Sequence, residues 1–278
     1  MKRFFISLTL IALNLFADDI DERKTIRFGI APFNSASGIV KTHRPLRDYL
    51  SEKLDETVTI YTSVNHEKFL SDGIEKRFDM IATPAHFAPF FYEKGYIPLV
   101  KYKTPLDFIF VVQKDSSIRK ISDLKGKRIG IPDYLSLYYV VGLRWLKERE
   151  NEIGGAYALV EEPGHAAAIA AVAANKIDAA ITGSPPFTFL EANVQSRLSW
   201  IELEKIELPS LITMVDKSLG DERIEKIREA LETFHATEAG AAFFRSSGYN
   251  GYLKATKKDV NAADSFKYDV ERALKDKR

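Results

Sequence analysis

The sequence has no cysteine among its 278 residues. This absence excludes disulfide bonds, thiolate metal sites and cysteine nucleophiles. It also excludes a lipid-modified cysteine as a membrane anchor. An excess of charge of one sign is missing too, because 40 Lys and Arg residues stand against 39 Asp and Glu residues. This balance argues against a broad surface for binding nucleic acid or membranes.

Motifs of several common enzyme classes are absent as well. The chain has no G-x-S-x-G, P-loop or G-x-G-x-x-G pattern. His43, His66 and His235 show no spacing typical of metal ligands. Glu161 and Glu162 are adjacent, so they face different directions and are expected on the surface. We therefore expect no metal, no cofactor and no catalytic group.

Only the first residues form a long apolar run. Lys2 and Arg3 precede the apolar residues 4–16, and Ala17 is followed by an acidic stretch. This order is typical of a secretory signal peptide, and the run is short of the roughly 20 residues that cross a bilayer. We predict a signal peptide over residues 1–17, cleaved near Ala17, and a periplasmic protein. An uncleaved anchor or a buried N-terminal helix remains the alternative.

Strand-like and helix-like patterns alternate from residue 24 onward. Residues 24–31 and 79–83 have the apolar pattern of strands, whereas residues 45–54, 135–149 and 221–234 have helical spacing. Such alternation predicts an α/β fold in which each lobe has a mixed, mostly parallel sheet flanked by helices. No linker rich in Gly, Ser or Pro divides the chain, which favours two lobes joined by crossing strands.

Several segments carry a family resemblance through their order and spacing. They are PLRDYL at residues 45–50, FDMIATP at 78–84, SDLKGKRIG at 122–130 and the Ala-rich stretch at 164–180. Together they resemble type II periplasmic binding proteins, and more closely the group of ABC importers that binds phosphonate, phosphite or phosphate. The resemblance covers nearly the whole chain after the signal peptide. It implies a two-lobed fold, with lobe 1 formed by residues 24–111 and 206–278 and lobe 2 by residues 112–205.

The resemblance also implies ligand-binding positions in lobe 2. The family's hydroxyl-rich loop corresponds to residues 133–138, where Ser136 is kept and Tyr134 and Tyr138 are the other candidate ligand residues. His165 corresponds to a ligand-contacting histidine at a helix start. A family acid corresponds to Gly183, whose neighbours Thr182 and Ser184 are candidates. Without that acid, a plain oxyanion or an anion with an apolar tail is favoured over an aminoalkyl phosphonate.

In lobe 1 the resemblance implies ligand contacts at Thr83, His86 and Phe87, which replace a family loop that carries more hydroxyls. Phe33 is a further candidate because it follows the first strand, where ligand contacts often lie, although a plain turn explains it equally well. The alternative places Phe87 in the core and His86 on the surface. These positions imply a pocket with few hydroxyls and many aromatic rings.

The favoured function is a receptor that closes two lobes around a small anion and delivers it to an inner-membrane ABC permease. One alternative is a sensory partner of a histidine kinase, and another is a binder of a carboxylate or sulfonate. A third is an enzyme of this fold, such as those of menaquinone or pyrimidine synthesis. Those enzymes are cytoplasmic, and the signal peptide argues against them. We expect a monomer that binds no nucleic acid.

Overall fold

The computed structural model describes residues 25–104, 106–183, 187, 190–202 and 207–277. The predicted signal peptide, residues 1–17, lies outside them. The strands are β1 (Thr25–Ile30), β2 (Thr57–Tyr61), β3 (Met80–Pro84), β4 (Tyr96–Tyr102), β5 (Ile109–Gln113), β6 (Arg128–Pro132), β7 (Ala158–Glu162), β8 (Ala179–Thr182), β9 (Leu198–Glu202), β10 (Leu211–Asp216) and β11 (Tyr252–Lys254).

Helices connect most of these strands. They are α1 (Ala36–Leu54), α2 (His66–Ile74), α3 (Ala88–Glu93), α4 (Leu137–Glu148), α5 (Glu150–Ile153), α6 (His165–Ala173), α7 (Ala192–Gln195), α8 (Asp221–Phe234), α9 (Glu238–Ser247), α10 (Lys257–Asn261) and α11 (Lys267–Asp276). Short 3₁₀ turns cover Ala85–Phe87, Ile121–Leu124, Lys217–Leu219 and Asp264–Phe266.

The strands form two mixed sheets, which confirms the predicted α/β fold class. The first sheet has the order β11-β4-β10-β3-β1-β2 and the second the order β7-β6-β8-β5-β9. The prediction of mostly parallel sheets is too strong, because four strand pairs are parallel and five antiparallel. The difference arises because β10 and β5 enter the middle of their sheets after the chain has crossed between them, and both run against their neighbours.

The chain passes between the sheets twice. It leaves the first sheet after β4 and enters the second at β5, then returns between β9 and β10. Strand β5 pairs only with β8 and β9, so sheet membership changes between Tyr102 and Ile109. The lobe boundaries predicted at 111/112 and 205/206 remain predictions.

Helix α1 begins nine residues earlier than the pattern around Pro45 predicts. Ser35 caps it, because its hydroxyl accepts a hydrogen bond from the Gly38 N–H at 3.2 Å. The residues PFNSASG at 32–38 have the composition of a turn, but from Ala36 onward they form the first turn of the helix. Pro45 lies inside the helix, although a proline there cannot donate the usual backbone hydrogen bond. The cap places the start of α1 directly after β1.

One apolar cluster is shared by both lobes. It includes Phe69, Phe87 and Phe91 beside the first sheet and Phe110 and Trp145 beside the second. The last helix, α11, joins the same cluster and also contacts α4, where the Arg144 Nε–H donates to Asp269 at 2.8 Å. Burial of these rings holds the two lobes together.

Candidate functional site

A cleft of about 710 Å³ lies between the two lobes. Its first-lobe wall consists of residues 32–36, 42, 43, 63–66, 246, 247 and 249, and its second-lobe wall of residues 132, 133, 136, 163–167 and 190. Both walls are built at the ends of strands and the starts of the following helices, which is where open α/β sheets generally bind ligands.

Four helices begin at this cleft. Ser35, Asn65 and Ser136 line it and cap α1, α2 and α4, accepting hydrogen bonds from backbone N–H groups at 3.2, 2.8 and 3.1 Å. Helix α6 differs, because Gly164 precedes it and no side chain caps it. Residues 164–167 all line the cleft. The first N–H groups of α6 therefore face the cleft without a capping acceptor and favour an anion.

Charged side chains contribute little to the cleft walls. Among the described lining residues there is no Lys or Arg, and Asp133 is the single carboxylate. Both of its oxygens are engaged, since the His66 Nδ1–H donates to Oδ2 at 2.9 Å and the Leu135 N–H donates to Oδ1 at 2.9 Å. Burial alone would raise the pKa of Asp133, but the hydrogen bonds and charge of His66 hold it below its usual value. An anion here would be bound by dipoles rather than by ion pairs.

His165 is the first residue of α6 and lies on the cleft wall. Its Nδ1 is 2.8 Å from the hydroxyl oxygen of Thr182, and the ring of Tyr138 meets the imidazole edge-on at 4.8 Å. Burial lowers the pKa of His165 to about 3, so the ring is neutral near pH 7. When the Thr182 hydroxyl donates to Nδ1, the proton resides on Nε2, which can then donate to an anion.

Three predicted site residues, Phe33, Ser136 and His165, line the cleft. Ser136 has a structural role there, because its hydroxyl donates to the Pro132 carbonyl at 2.5 Å while capping α4. Thr182 and Tyr138 stand behind His165 and contact it without lining the cleft. Ser184 lies outside the described residues.

The other predicted positions do not line the cleft. Phe87 and Thr83 are fully buried, and Phe87 packs in the shared apolar cluster. His86 is also fully buried, not exposed, and its Nε2–H donates to the Leu135 carbonyl of the second lobe at 2.9 Å. The hydroxyl of Tyr134 donates to Glu67, again across the two lobes. Phe87, His86 and Tyr134 therefore join the lobes, whereas Thr83 lies buried in β3.

The predicted shortage of hydroxyls is wrong for the cleft as it is built. Seven of its lining residues carry a hydroxyl, namely Ser35, Thr42, Ser63, Ser136, Ser246, Ser247 and Tyr249. Aromatic rings are fewer than predicted, because Tyr134, Tyr138 and Phe87 are directed elsewhere. The first-lobe hydroxyls come from α1, α9 and the segment before α2. None of the family motifs falls in these segments, although Asn65 has the residue type of a helix cap before His66.

Gly183 and Tyr138 fit one another. A Cβ atom at position 183 would lie 2.2 Å from the Tyr138 hydroxyl oxygen, which is far inside van der Waals contact. The Tyr138 side chain thus fills the space into which an acidic residue at 183 would extend. A side chain at position 183 and the side chain of Tyr138 therefore compete for the same space beside His165.

Two α/β lobes around a cleft lined by helix N-termini define a two-lobed solute-binding protein. Residues 28–260 match the family described as "ABC transporter, phosphonate, periplasmic substrate-binding protein", and the chain belongs to that family. The predicted family and solute-binding function are thereby confirmed, and the protein is a periplasmic component that serves an ABC permease. The family is one of transport components rather than enzymes.

Solved structures show the same fold at low sequence identity. PhnD1 from Prochlorococcus marinus in complex with methylphosphonate has a TM-score of 0.78 and 16% identity, covering 90% of this chain and 99% of its own. A binding protein of a phosphonate ABC transporter from Pseudomonas aeruginosa has a TM-score of 0.76 and 15% identity, covering 90% and 87%. A Xanthomonas citri protein bound to ATP has a TM-score of 0.70 and 16% identity, covering 91% and 98%.

Two further observations concern the described residues alone. None of their helices combines the length and the apolar composition that crossing a bilayer requires. No cluster of three or more His, Asp or Glu side chains among them is arranged to hold a metal ion.

Proposed function

We propose that this protein captures a small oxyanion, such as a phosphonate, phosphite or phosphate, in the cleft and delivers it to an ABC permease. The observation that carries the proposal is the uncapped start of α6, which faces the cleft together with three other helix starts. Helix N-termini bind anions through backbone N–H groups and a favourable dipole. The similar protein from Prochlorococcus marinus binds methylphosphonate and the one from Pseudomonas aeruginosa is a component of a phosphonate transporter, which supports the same ligand class here.

The binding mode follows from which donors are still available. Ser63 and Ser136 donate their hydroxyl protons within the protein, to Asp72 and Pro132. The first N–H groups of α6 and the Nε2–H of His165 remain to contact the oxyanion. Because these donors are uncharged, transfer of the anion from water depends on several hydrogen bonds made at once rather than on one ion pair.

Closure of the lobes is the second part of the proposal. Three hydrogen bonds cross between the lobes beside the cleft: His66 to Asp133, Tyr134 to Glu67, and His86 to the Leu135 carbonyl. Asp133, which accepts the bond from His66, has a backbone φ of 39°, in the left-handed region that few non-glycine residues adopt. Contacts of this kind form only when the lobes face each other, so they favour the ligand-bound arrangement.

We expect Asp133→Asn to weaken ligand binding about tenfold, because a bond to a charged group typically contributes about 1.5–3 kcal/mol and the amide cannot replace the carboxylate at both partners. Isothermal titration calorimetry would measure Kd. X-ray scattering should show a larger radius of gyration for the ligand-free variant. Asp123→Asn is the matched control, since Asp123 caps the turn Ile121–Leu124 and does not line the cleft. An unchanged Kd in Asp133→Asn would contradict the closure role.

A thermal-shift screen of residues 18–278 tests the ligand class. The compounds are phosphate, phosphite, methylphosphonate, 2-aminoethylphosphonate, methanesulfonate and acetate. A ligand present at 100 times its Kd stabilises the native state by about 2.7 kcal/mol, which raises Tm by roughly 5 °C or more. Shifts with the phosphorus oxyanions would support the proposal. A shift with acetate or methanesulfonate alone would show that the ligand is a carboxylate or a sulfonate instead. No shift with any of the compounds would overturn the proposed function.

Several finer points belong to the same proposal. We expect the protein to be a monomer, with the signal peptide removed near Ala17 and the lobes divided near residues 111 and 205. A histidine kinase in place of the permease is the alternative partner. Size-exclusion chromatography with light scattering and N-terminal sequencing of the secreted protein would test the first two expectations.

A further inference from the structure

His43 is a buried histidine on α1 that lines the cleft and is not explained by the oxyanion contacts above. Only 2% of its surface is exposed, and its ring packs against Phe33 at 5.9 Å and Phe243 at 5.3 Å. Its Nδ1 lies 2.9 Å from the carbonyl oxygen of Ile39. A carbonyl oxygen can only accept a hydrogen bond, so Nδ1 carries the proton.

The other ring nitrogen is therefore an acceptor when the ring is neutral. Burial between two phenylalanine rings disfavours the charged form and lowers the pKa of His43 to about 4. No described residue donates a hydrogen bond to Nε2. Nε2 is not one of the described buried atoms that lack a partner, so it is open to the cleft and can accept a hydrogen bond from a molecule bound there.

The wall around His43 reinforces this acceptor character. The hydroxyl of Ser246 donates to the Phe243 carbonyl at 3.0 Å and that of Ser247 to the Phe244 carbonyl at 3.4 Å. Both serine oxygens therefore present lone pairs to the cleft. They stand at the C-terminal end of α9, where the helix dipole is negative. Thr42 and Tyr249 line the same wall, and their hydroxyl groups can serve in either role.

We infer that this wall selects ligands that carry an O–H group, which donates to Nε2 of His43. The inference rests on the proposed function and specifies which oxyanions the cleft prefers. The O–H group is either the acid proton of the oxyanion itself or a hydroxyl on its carbon tail. An ammonium group fits less well, because a desolvated cation needs a carboxylate, and the one carboxylate that lines the described cleft, Asp133, is already engaged with His66 and Leu135.

Two ligand pairs, measured by calorimetry at pH 7, separate these sources. The affinities for hydroxymethylphosphonate and methylphosphonate differ if a hydroxyl on the carbon tail is the donor. The affinities for methylphosphonate and methanesulfonate differ if the acid proton is the donor, because methanesulfonate is fully ionised. We expect about a tenfold preference for the O–H-bearing member of at least one pair in the wild-type protein. In His43→Phe, which removes the acceptor and keeps a ring, that ratio should fall to within about twofold of one. In His43→Gln, whose amide oxygen can accept, most of the preference should remain.

A spectroscopic measurement covers the case in which a variant fails to fold. In the wild-type protein the ¹⁵N resonance of the His43 Nε2 should move upfield when the preferred ligand is added, as expected for an unprotonated nitrogen that gains a hydrogen bond. A preference that survives His43→Phe, or an unmoved resonance, would overturn the inference alone. Oxyanion binding with no preference in either pair would do the same. A wild-type protein that binds none of these compounds would overturn the proposed function, and the inference with it.

Discussion

Ala166→Asp should weaken ligand binding by about 100-fold or more without lowering the free energy of unfolding. Ala166 is the second residue of α6, is exposed and lines the cleft. A carboxylate in the first turn of a helix is itself favourable by about 0.3–1 kcal/mol. It would engage the same N–H groups that the oxyanion needs and would repel the anion, at about 4 kcal/mol for unit charges 4 Å apart near a protein surface.

Two controls separate this effect from general damage to α6. Ala166→Asn has nearly the same shape without the charge and should lose much less affinity. Ala170→Asp adds the same charge to an exposed position of α6 that does not line the cleft, and it should bind nearly as the wild-type protein does. Calorimetry gives the affinities and urea denaturation the stabilities. Equal losses in Ala166→Asp and Ala170→Asp would show that the start of α6 is not the anion site.

The sequence predicted those elements of the fold that have strong local signals. Helix α8 matches the predicted residues 221–234, because its apolar positions recur at helical spacing. Strands β4, β9 and β11 were not predicted, since each is defined by its partner strands rather than by its own pattern. The start of α1 was missed for a related reason: the segment PFNSASG has turn composition, and the cap from Ser35 converts its end into helix.

The sequence predicted a residue of the candidate site only where a single position matched a family motif or followed a predicted strand. His165 at the start of α6 was found in this way, and the cleft contains it. The bonds of His66 to Asp133 and of Tyr134 to Glu67 each join residues 67 positions apart, so no local motif indicates them. Tyr138 was predicted as a ligand contact because it occupies a hydroxyl position of the family loop. The space at Gly183 lets its side chain turn behind His165 instead.

Lowering the pH from 7 to 5 should reduce the free energy of unfolding by roughly 5–6 kcal/mol through His43, His86 and His165. Burial lowers the pKa of His43 to about 4 and the pKa of His86 and of His165 to about 3. The unfolded chain binds these protons near pH 6.5, so between the two values it carries more protons than the folded chain. Stability therefore falls as the pH falls, by up to about 1.4 kcal/mol per pH unit for each histidine.

His86→Gln isolates one of these three contributions. The glutamine amide can still donate to the Leu135 carbonyl but cannot titrate, so the variant should lose about a third of the pH dependence whatever its stability at pH 7. The exposed His235 provides the control, and His235→Gln should keep the wild-type slope. Urea denaturation of the ligand-free protein at pH 7, 6 and 5 measures all three. Carboxyl groups with a lowered pKa, such as Asp133, stabilise the folded chain throughout this pH range, because that stabilisation is lost only below about pH 4. They therefore do not change the slope between pH 7 and 5.

A flat profile, or a slope untouched by His86→Gln, would contradict the assignment of neutral buried histidines on both sides of the cleft.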